Sequence, residues 1–185
     1  MQIYSVTAGA TIGVATAGVA FYVLVLRRRR SGQSEIAAAC CCPPGSLPPL
    51  SALSDGEAPA RGSEKVLAGL TVYATGSSSK KRCVIVATDI WGFRAGRHRQ
   101  VCDIIADSLG CAVYMPDLFH GDACTPDKGP GTAGFAPWAE KYTQRKVGAD
   151  LDALMATIAP SCKIGIVGFC WGRCEAPLSP RYHRA

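Results

Sequence analysis

Residues 165–172 read Gly165-Ile166-Val167-Gly168-Phe169-Cys170-Trp171-Gly172. Lys163 to Val167 is a short, β-branched apolar run, the pattern of a buried strand. At its end Gly168-Phe169-Cys170-Trp171-Gly172 matches G-x-nucleophile-x-G, with cysteine where serine is more usual. The spacing has a steric cause. A residue on a sharp strand-to-helix turn is strained, and side chains two positions away would strike neighbouring backbone, so glycine is expected at 168 and 172. Such a turn also aims the Trp171 N–H at an oxyanion forming beside the sulfur. Taken alone, the pattern fits either a catalytic nucleophile at Cys170 or a small buried structural thiol.

Outward from that stretch, strand and helix patterns alternate. Val66 to Leu70 with Thr71 to Tyr73 predicts a short hairpin or bent strand. Cys83-Val84-Ile85-Val86-Ala87 is a continuous apolar run of the kind found in a central parallel strand. Val101, Ile104, Ile105 and Leu109 predict an amphipathic helix over 94–109, stopped by Gly110. Cys111 to Met115 is the next strand, and Trp138 to Lys146 and Ala149 to Ile158 read as helical. This order predicts an α/β fold, a doubly wound parallel sheet with its strand C-termini on one rim. The loops at Asp89 and Asp117 would share that rim with Cys170, where open α/β sheets bind ligands. Gly129 to Gly134 nominally fits G-x-G-x-x-G but follows no strand and contains Pro130, which excludes a dinucleotide site.

Composition narrows the classes. The chain of 185 residues suits one domain, and four of its +6 charges are Arg27 to Arg30. No basic stripe with interleaved aromatics points to nucleic acid. Ten cysteines include the triplet Cys40 to Cys42 but no C-x-x-C pair or spaced histidine set, so no zinc site is expected and mostly free thiols are. Asparagine is absent, so there is no glycosylation sequon.

Residues 1–30 read as a membrane anchor. Ile3 to Leu26 carries no charge, and its 24 residues reach across a bilayer core of about 30 Å as one helix. The basic stop at Arg27 to Arg30 predicts a single-pass protein whose domain faces the cytosol. Residues 31–63 form a Pro/Ser/Gly/Cys linker, 64–172 the domain, and 173–185 a divergent, disordered tail. Cys40 to Cys42 is a candidate for S-palmitoylation or a set of incidental linker thiols.

With these residues placed, Cys41 to Gly172 resembles the dienelactone hydrolase family of the α/β-hydrolase superfamily. The likeness rests on Gly168-Phe169-Cys170-Trp171-Gly172, on Thr88-Asp89-Ile90-Trp91-Gly92, and on Pro116-Asp117-Leu118-Phe119-His120-Gly121-Asp122; Cys41-Cys42-Pro43-Pro44-Gly45 resembles the start of eukaryotic members. The resemblance implies hydrolysis of a small lactone or carboxylic ester through a thiol ester on Cys170, with no metal or organic cofactor. It makes the backbone N–H groups of Trp171 and Ile90 the oxyanion hole. Asp89 matches the family's carboxylate beside the thiol, commonly Glu; its competing role is to cap a helix starting near Phe93. His120 matches a loop motif and not the family's catalytic histidine.

The departure lies after the elbow. The family continues with a helix, further strands and a catalytic Asp and His, whereas Arg173, Pro177 and Pro180 follow here. The expectation is therefore an incomplete fold, truncated after the elbow. Its elbow strand would lie at an open sheet edge, and Cys170 would lack an evident base. The competing reading is a catalytically inactive, membrane-tethered binding module. A weaker third reading is a redox pair of Cys170 with Cys174.

Overall fold

The computed structural model describes residues 2–5, 59–77 and 81–172. Its strands are β1 (Gln2–Ser5), β2 (Ser63–Leu67), β3 (Leu70–Thr75), β4 (Arg82–Ala87), β5 (Ala112–Pro116) and β6 (Lys163–Gly168). Its helices are α1 (His98–Leu109), α2 (Phe135–Lys141) and α3 (Gln144–Ile158).

The strands form one sheet in the order β1-β6-β4-β5-β3-β2. Apolar at every position from Cys83 to Ala87 and buried throughout, β4 takes the centre, with β5 and β6 parallel on either side. The expected parallel sheet is thus present only at its core. Antiparallel pairs β3–β5, β2–β3 and β1–β6 flank it, making the sheet mixed. The hairpin explains one flank. Ala68 and Gly69 both have positive φ, 52° and 79°, as a two-residue primed turn requires, and this turn returns the chain directly alongside β2.

Alternation along β4 divides the core in two. Cys83, Ile85 and Ala87 point to the face covered by α3, through Val147, Leu151, Leu154, Met155 and Ile158, and by Trp138 of α2. Val84 and Val86 point the other way, toward Cys102 and Ala106 of α1. Helix α1 starts at His98 and not near residue 94, because Gly92 and Gly96 adopt positive φ (82° and 61°) and the intervening chain turns. It ends as expected at Gly110, in the left-handed region at φ 56°. The helix expected from Trp138 to Lys146 is broken at Tyr142-Thr143, where Thr143 is extended at φ −72°, ψ 155°. The Tyr142 hydroxyl donates toward Phe119 O (3.1 Å) and Asp122 (3.0 Å), which fixes the break.

Two further expectations are corrected. The elbow strand β6 does not end the sheet, because β1 pairs along it from Gln2↔Gly168 to Ser5↔Gly165. Ile3 to Ser5, expected to open a membrane-spanning helix, are therefore strand, and residues 6–26 of that span lie outside the described residues. Among the described residues no helix is long and apolar enough to cross a membrane. A single crossing between residues 6 and 26 would carry β1 to the far side of the bilayer from β6, so that topology and the β1–β6 pairing exclude one another. Among the described residues most cysteines lie outside disulfides, as expected, and Cys83 and Cys162 form one. The parallel pairing of Arg82 with Lys163 brings these cysteines together across a separation of 79 residues. Linker residues 31–58, Cys40 to Cys42 among them, and the tail from 173, with Cys174 and His183, lie outside the described residues.

Candidate active site

The elbow has the geometry its glycine spacing requires. Cys170 sits at φ 49°, a left-handed conformation that costs a non-glycine residue about 1–2 kcal/mol and is held only where surroundings over-determine it. Here they do. The Phe169 N–H donates to Ala87 O (3.0 Å), and the Gly172 N–H donates to Thr88 O (3.1 Å) and Phe169 O (2.9 Å). A Cβ on Gly172 would lie 2.5 Å from Ala87 O and 2.6 Å from Thr88 O, so only glycine brings the turn this close to the end of β4. Helical backbone begins at Trp171. Cys170 is half-buried and outside the disulfide.

The same contacts bring in the second motif. Asp89 follows Thr88, and its Oδ1 accepts the Trp91 N–H at 3.0 Å. Its backbone carbonyl accepts the Gly92 N–H at 3.2 Å. These bonds close a tight turn, so the carboxylate caps a turn at 89–92 and not the first turn of a helix. Burial pushes the Asp89 carboxyl above its ordinary range, opposed by the His98 charge and by the N–H groups of Trp91 and Gly92. Ile90 is buried, and its carbonyl accepts the Cys124 N–H at 2.9 Å, which fixes the Ile90–Trp91 peptide plane. The Trp171 ring packs against Phe119 with centroids 4.8 Å apart.

The third motif holds the rim together. Asp117 accepts the N–H groups of Phe119 (3.2 Å) and Gly121 (2.8 Å). Asp122 takes Lys141 (3.1 Å), Lys128 (3.2 Å) and Tyr142, while its backbone carbonyl accepts Trp138 Nε1–H at 2.7 Å. Lys141 foremost, with Tyr142 and Lys128, holds the Asp122 carboxyl below its ordinary range. His120 is exposed, its Nε2 2.9 Å from Asp150.

One residue at the site carries no motif. His98, the first residue of α1, is buried, with Nδ1 3.0 Å from Ala95 O and Nε2 3.5 Å from Asp89 Oδ2. Its ring lies 5.4 Å from that of Phe169, the residue before Cys170. In the sequence it is one polar position of an amphipathic helix, and only the turn at 92–97 folds it back onto Asp89. Among the described residues no group of three His, Cys, Asp or Glu side chains is placed to hold a metal ion.

Several known proteins are similar to this chain. The sequence pattern of the Dienelactone hydrolase family matches residues 69–181. A carboxymethylenebutenolidase homolog of Rattus norvegicus is 33% identical over 115 residues, covering 60% of this chain and 46% of that protein. The corresponding homolog of Mus musculus is 36% identical, covering 49% and 38%. An endo-1,3;1,4-beta-D-glucanase of Zea mays is 32% identical, covering 56% and 33%. A solved structure of a candidate dienelactone hydrolase from Klebsiella pneumoniae matches with TM-score 0.44 at 24% identity, covering 56% and 45%. The chain spans less than half the length of each of these relatives.

Proposed function

Because the chain belongs to the dienelactone hydrolase family, we propose that it carries the nucleophile portion of a site that hydrolyses a small carboxylic ester or lactone. The observation that supports this best is the strained backbone of Cys170 at φ 49°, held by Gly172 against the end of β4 beside Asp89. A core cysteine has no need of that conformation; a thiol presented at a strand end does. In this reading Cys170 attacks the carbonyl as thiolate, forming a thiol ester that water then cleaves. The Trp171 and Ile90 N–H groups bind the oxyanion, each donor contributing on the order of 3 kcal/mol. Asp89 receives the thiol proton, its carboxylate having been made more basic by burial.

Attachment to a membrane through residues 6–26, with the domain on the cytosolic side, belongs to this proposal only for a form in which β1 is released from β6. The catalytic reading stands apart from it. Its test is turnover of nitrophenyl esters by the full chain. Saturable hydrolysis that Cys170→Ala abolishes while the fold persists is the expected result. Equal turnover in the variant removes Cys170 from the chemistry, and no turnover in the parent leaves the inactive module.

A further inference from the structure

The sheet carries a cavity at the end opposite Cys170. It lies over β2, β3 and β5, measures about 370 Å³, and its lining includes Ser63, Lys65, Ala74, Gly76, Ala112 and Tyr114. Ala112 pairs with Cys83 near the start of β4, whereas Cys170 follows the end of β6. Register explains the space. Ser63 pairs with Ala74 and Ala74 with Tyr114, so the three form one row across the sheet, their side chains on one face. Neighbouring strands lie about 4.8 Å apart, so a single methyl group separates two strands that stand about 9.5 Å from one another. Ala112, the next residue of β5 on that face, is equally short. Lys65, two positions along β2 from Ser63, shares the face and gives the cavity a cation.

The lining selects the charge and shape of a ligand. It contains no Asp or Glu. Alternation turns Glu64 to the other face, where it pairs with Arg94 and Arg99. Lys65 has no ion pair among the described residues. The same holds for Lys81, Arg82 and Lys163, which the Arg82–Lys163 pairing and the Lys163 N–H bond to Lys81 O (2.9 Å) gather at this end of the sheet. The local field therefore favours an anion. Lysine offers a point charge with three donors, suited to phosphate, and the arginine fork that grips planar carboxylates is missing from the lining. Ser63 and Tyr114 add hydroxyl donors. Ligand pockets span about 300–1,000 Å³, so this one, though small, holds a short alcohol beyond a phosphate group.

We propose that this cavity binds a small organic phosphate. Lys65 neutralises the phosphate, Ser63 and Tyr114 donate hydrogen bonds to it, and the alcohol portion lies over Ala74 and Ala112. The site is separate from the elbow and does not depend on Cys170 as nucleophile. A soluble phosphate ester and a phosphomonoester lipid headgroup share this chemistry.

The test is calorimetric titration of the full chain with glycerol phosphate, beside co-sedimentation with phosphatidylcholine vesicles with and without phosphatidic acid. Saturable binding of glycerol phosphate, absent with glycerol, is the expected result. Hydrogen bonds to a charged group contribute enough that Lys65→Gln, at an exposed position, should weaken binding about tenfold at an unchanged denaturation midpoint. Ala74→Leu, which fills the floor and keeps every charge, should weaken it as much. Lys163→Gln removes a cation at the same end of the sheet but outside the cavity lining, and should change binding less than about twofold. If free glycerol phosphate does not bind but phosphatidic acid vesicles retain the parent more than Lys65→Gln, the ligand is a lipid headgroup and the site is upheld. Binding that falls equally in Lys65→Gln and Lys163→Gln reports only the general charge of this end and overturns the site. Absence of binding to both probes overturns it as well.

Discussion

Replacing Gly172 with alanine perturbs the contact on which the elbow depends. The added Cβ would meet Ala87 O at 2.5 Å, Thr88 O at 2.6 Å and Ala87 C at 2.7 Å. Carbon contacts are comfortable near 3.5–4.0 Å, so the turn must withdraw by about 1 Å. All three obstacles are backbone of β4 and the residue after it, and no side chain can rotate away. Withdrawal also stretches Gly172 N–H to Thr88 O and Phe169 N–H to Ala87 O, now 3.1 and 3.0 Å. Overpacking costs about 1–3 kcal/mol and each hydrogen bond about 1 kcal/mol net, so the loss is about 3 kcal/mol, more than a hundredfold in the folding equilibrium. Gly148 supplies the control: it lies inside α3 with nothing within 4 Å of an added Cβ, and alanine there should stabilise by about 0.5–1 kcal/mol. Urea denaturation followed by circular dichroism reads both. A Gly172→Ala midpoint equal to the parent, beside a raised Gly148→Ala midpoint, would refute the packing of the elbow on β4.

Tyr73→Phe removes the hydroxyl that accepts the Gly62 N–H (2.7 Å) and donates to Asp103 (2.9 Å), for an expected loss of about 2 kcal/mol by the same assay. Burial pushes the phenols of Tyr73 and Tyr142 up to about 12. The folded state therefore holds these protons more tightly than the unfolded state, and stability is full below pH 10 and falls toward pH 12. Tyr73→Phe should roughly halve that slope, as denaturation midpoints across this window would show. Cutting the Cys83–Cys162 disulfide, whose cysteines lie 79 residues apart, should cost about 4 kcal/mol; reductant should lower the parent's midpoint and leave Cys83→Ala unchanged. Because Ser5 pairs with Gly165, a Ser5→Cys, Gly165→Cys chain should form that disulfide, detected as a linked peptide. Its absence in membranes would instead place residue 5 across the bilayer.

The centre of the fold was legible because burial on both faces leaves a plain mark: Cys83 to Ala87 reads as a middle strand and becomes one. The elbow was legible because its steric demand falls on glycines at fixed spacing, and Gly172 meets that demand against Ala87 and Thr88. The edges were not. A flank strand such as β1 is defined by its partner β6, far along the chain, and its four residues carry no alternation that separates them from the apolar run that follows. The same distance hid the Cys83–Cys162 bond, which depends on the register of β4 against β6. His98 was invisible for a different reason. Its partner Asp89 is nine residues away, and the two meet only because Gly92 and Gly96 turn the intervening chain left-handed. For Asp89 the sequence supports two competing roles, and it caps a turn while its second oxygen faces His98.

The most direct measurement of the central claim is acid-quenched trapping of the acyl intermediate. The full chain is mixed briefly with nitrophenyl acetate, digested, and the peptide 164–173 weighed. An acetyl group on Cys170, formed in the parent, lost on longer incubation and absent after prior alkylation of that thiol, is the predicted result. Acetyl groups spread over lysines, with Cys170 unmodified while ester is being consumed, would contradict it.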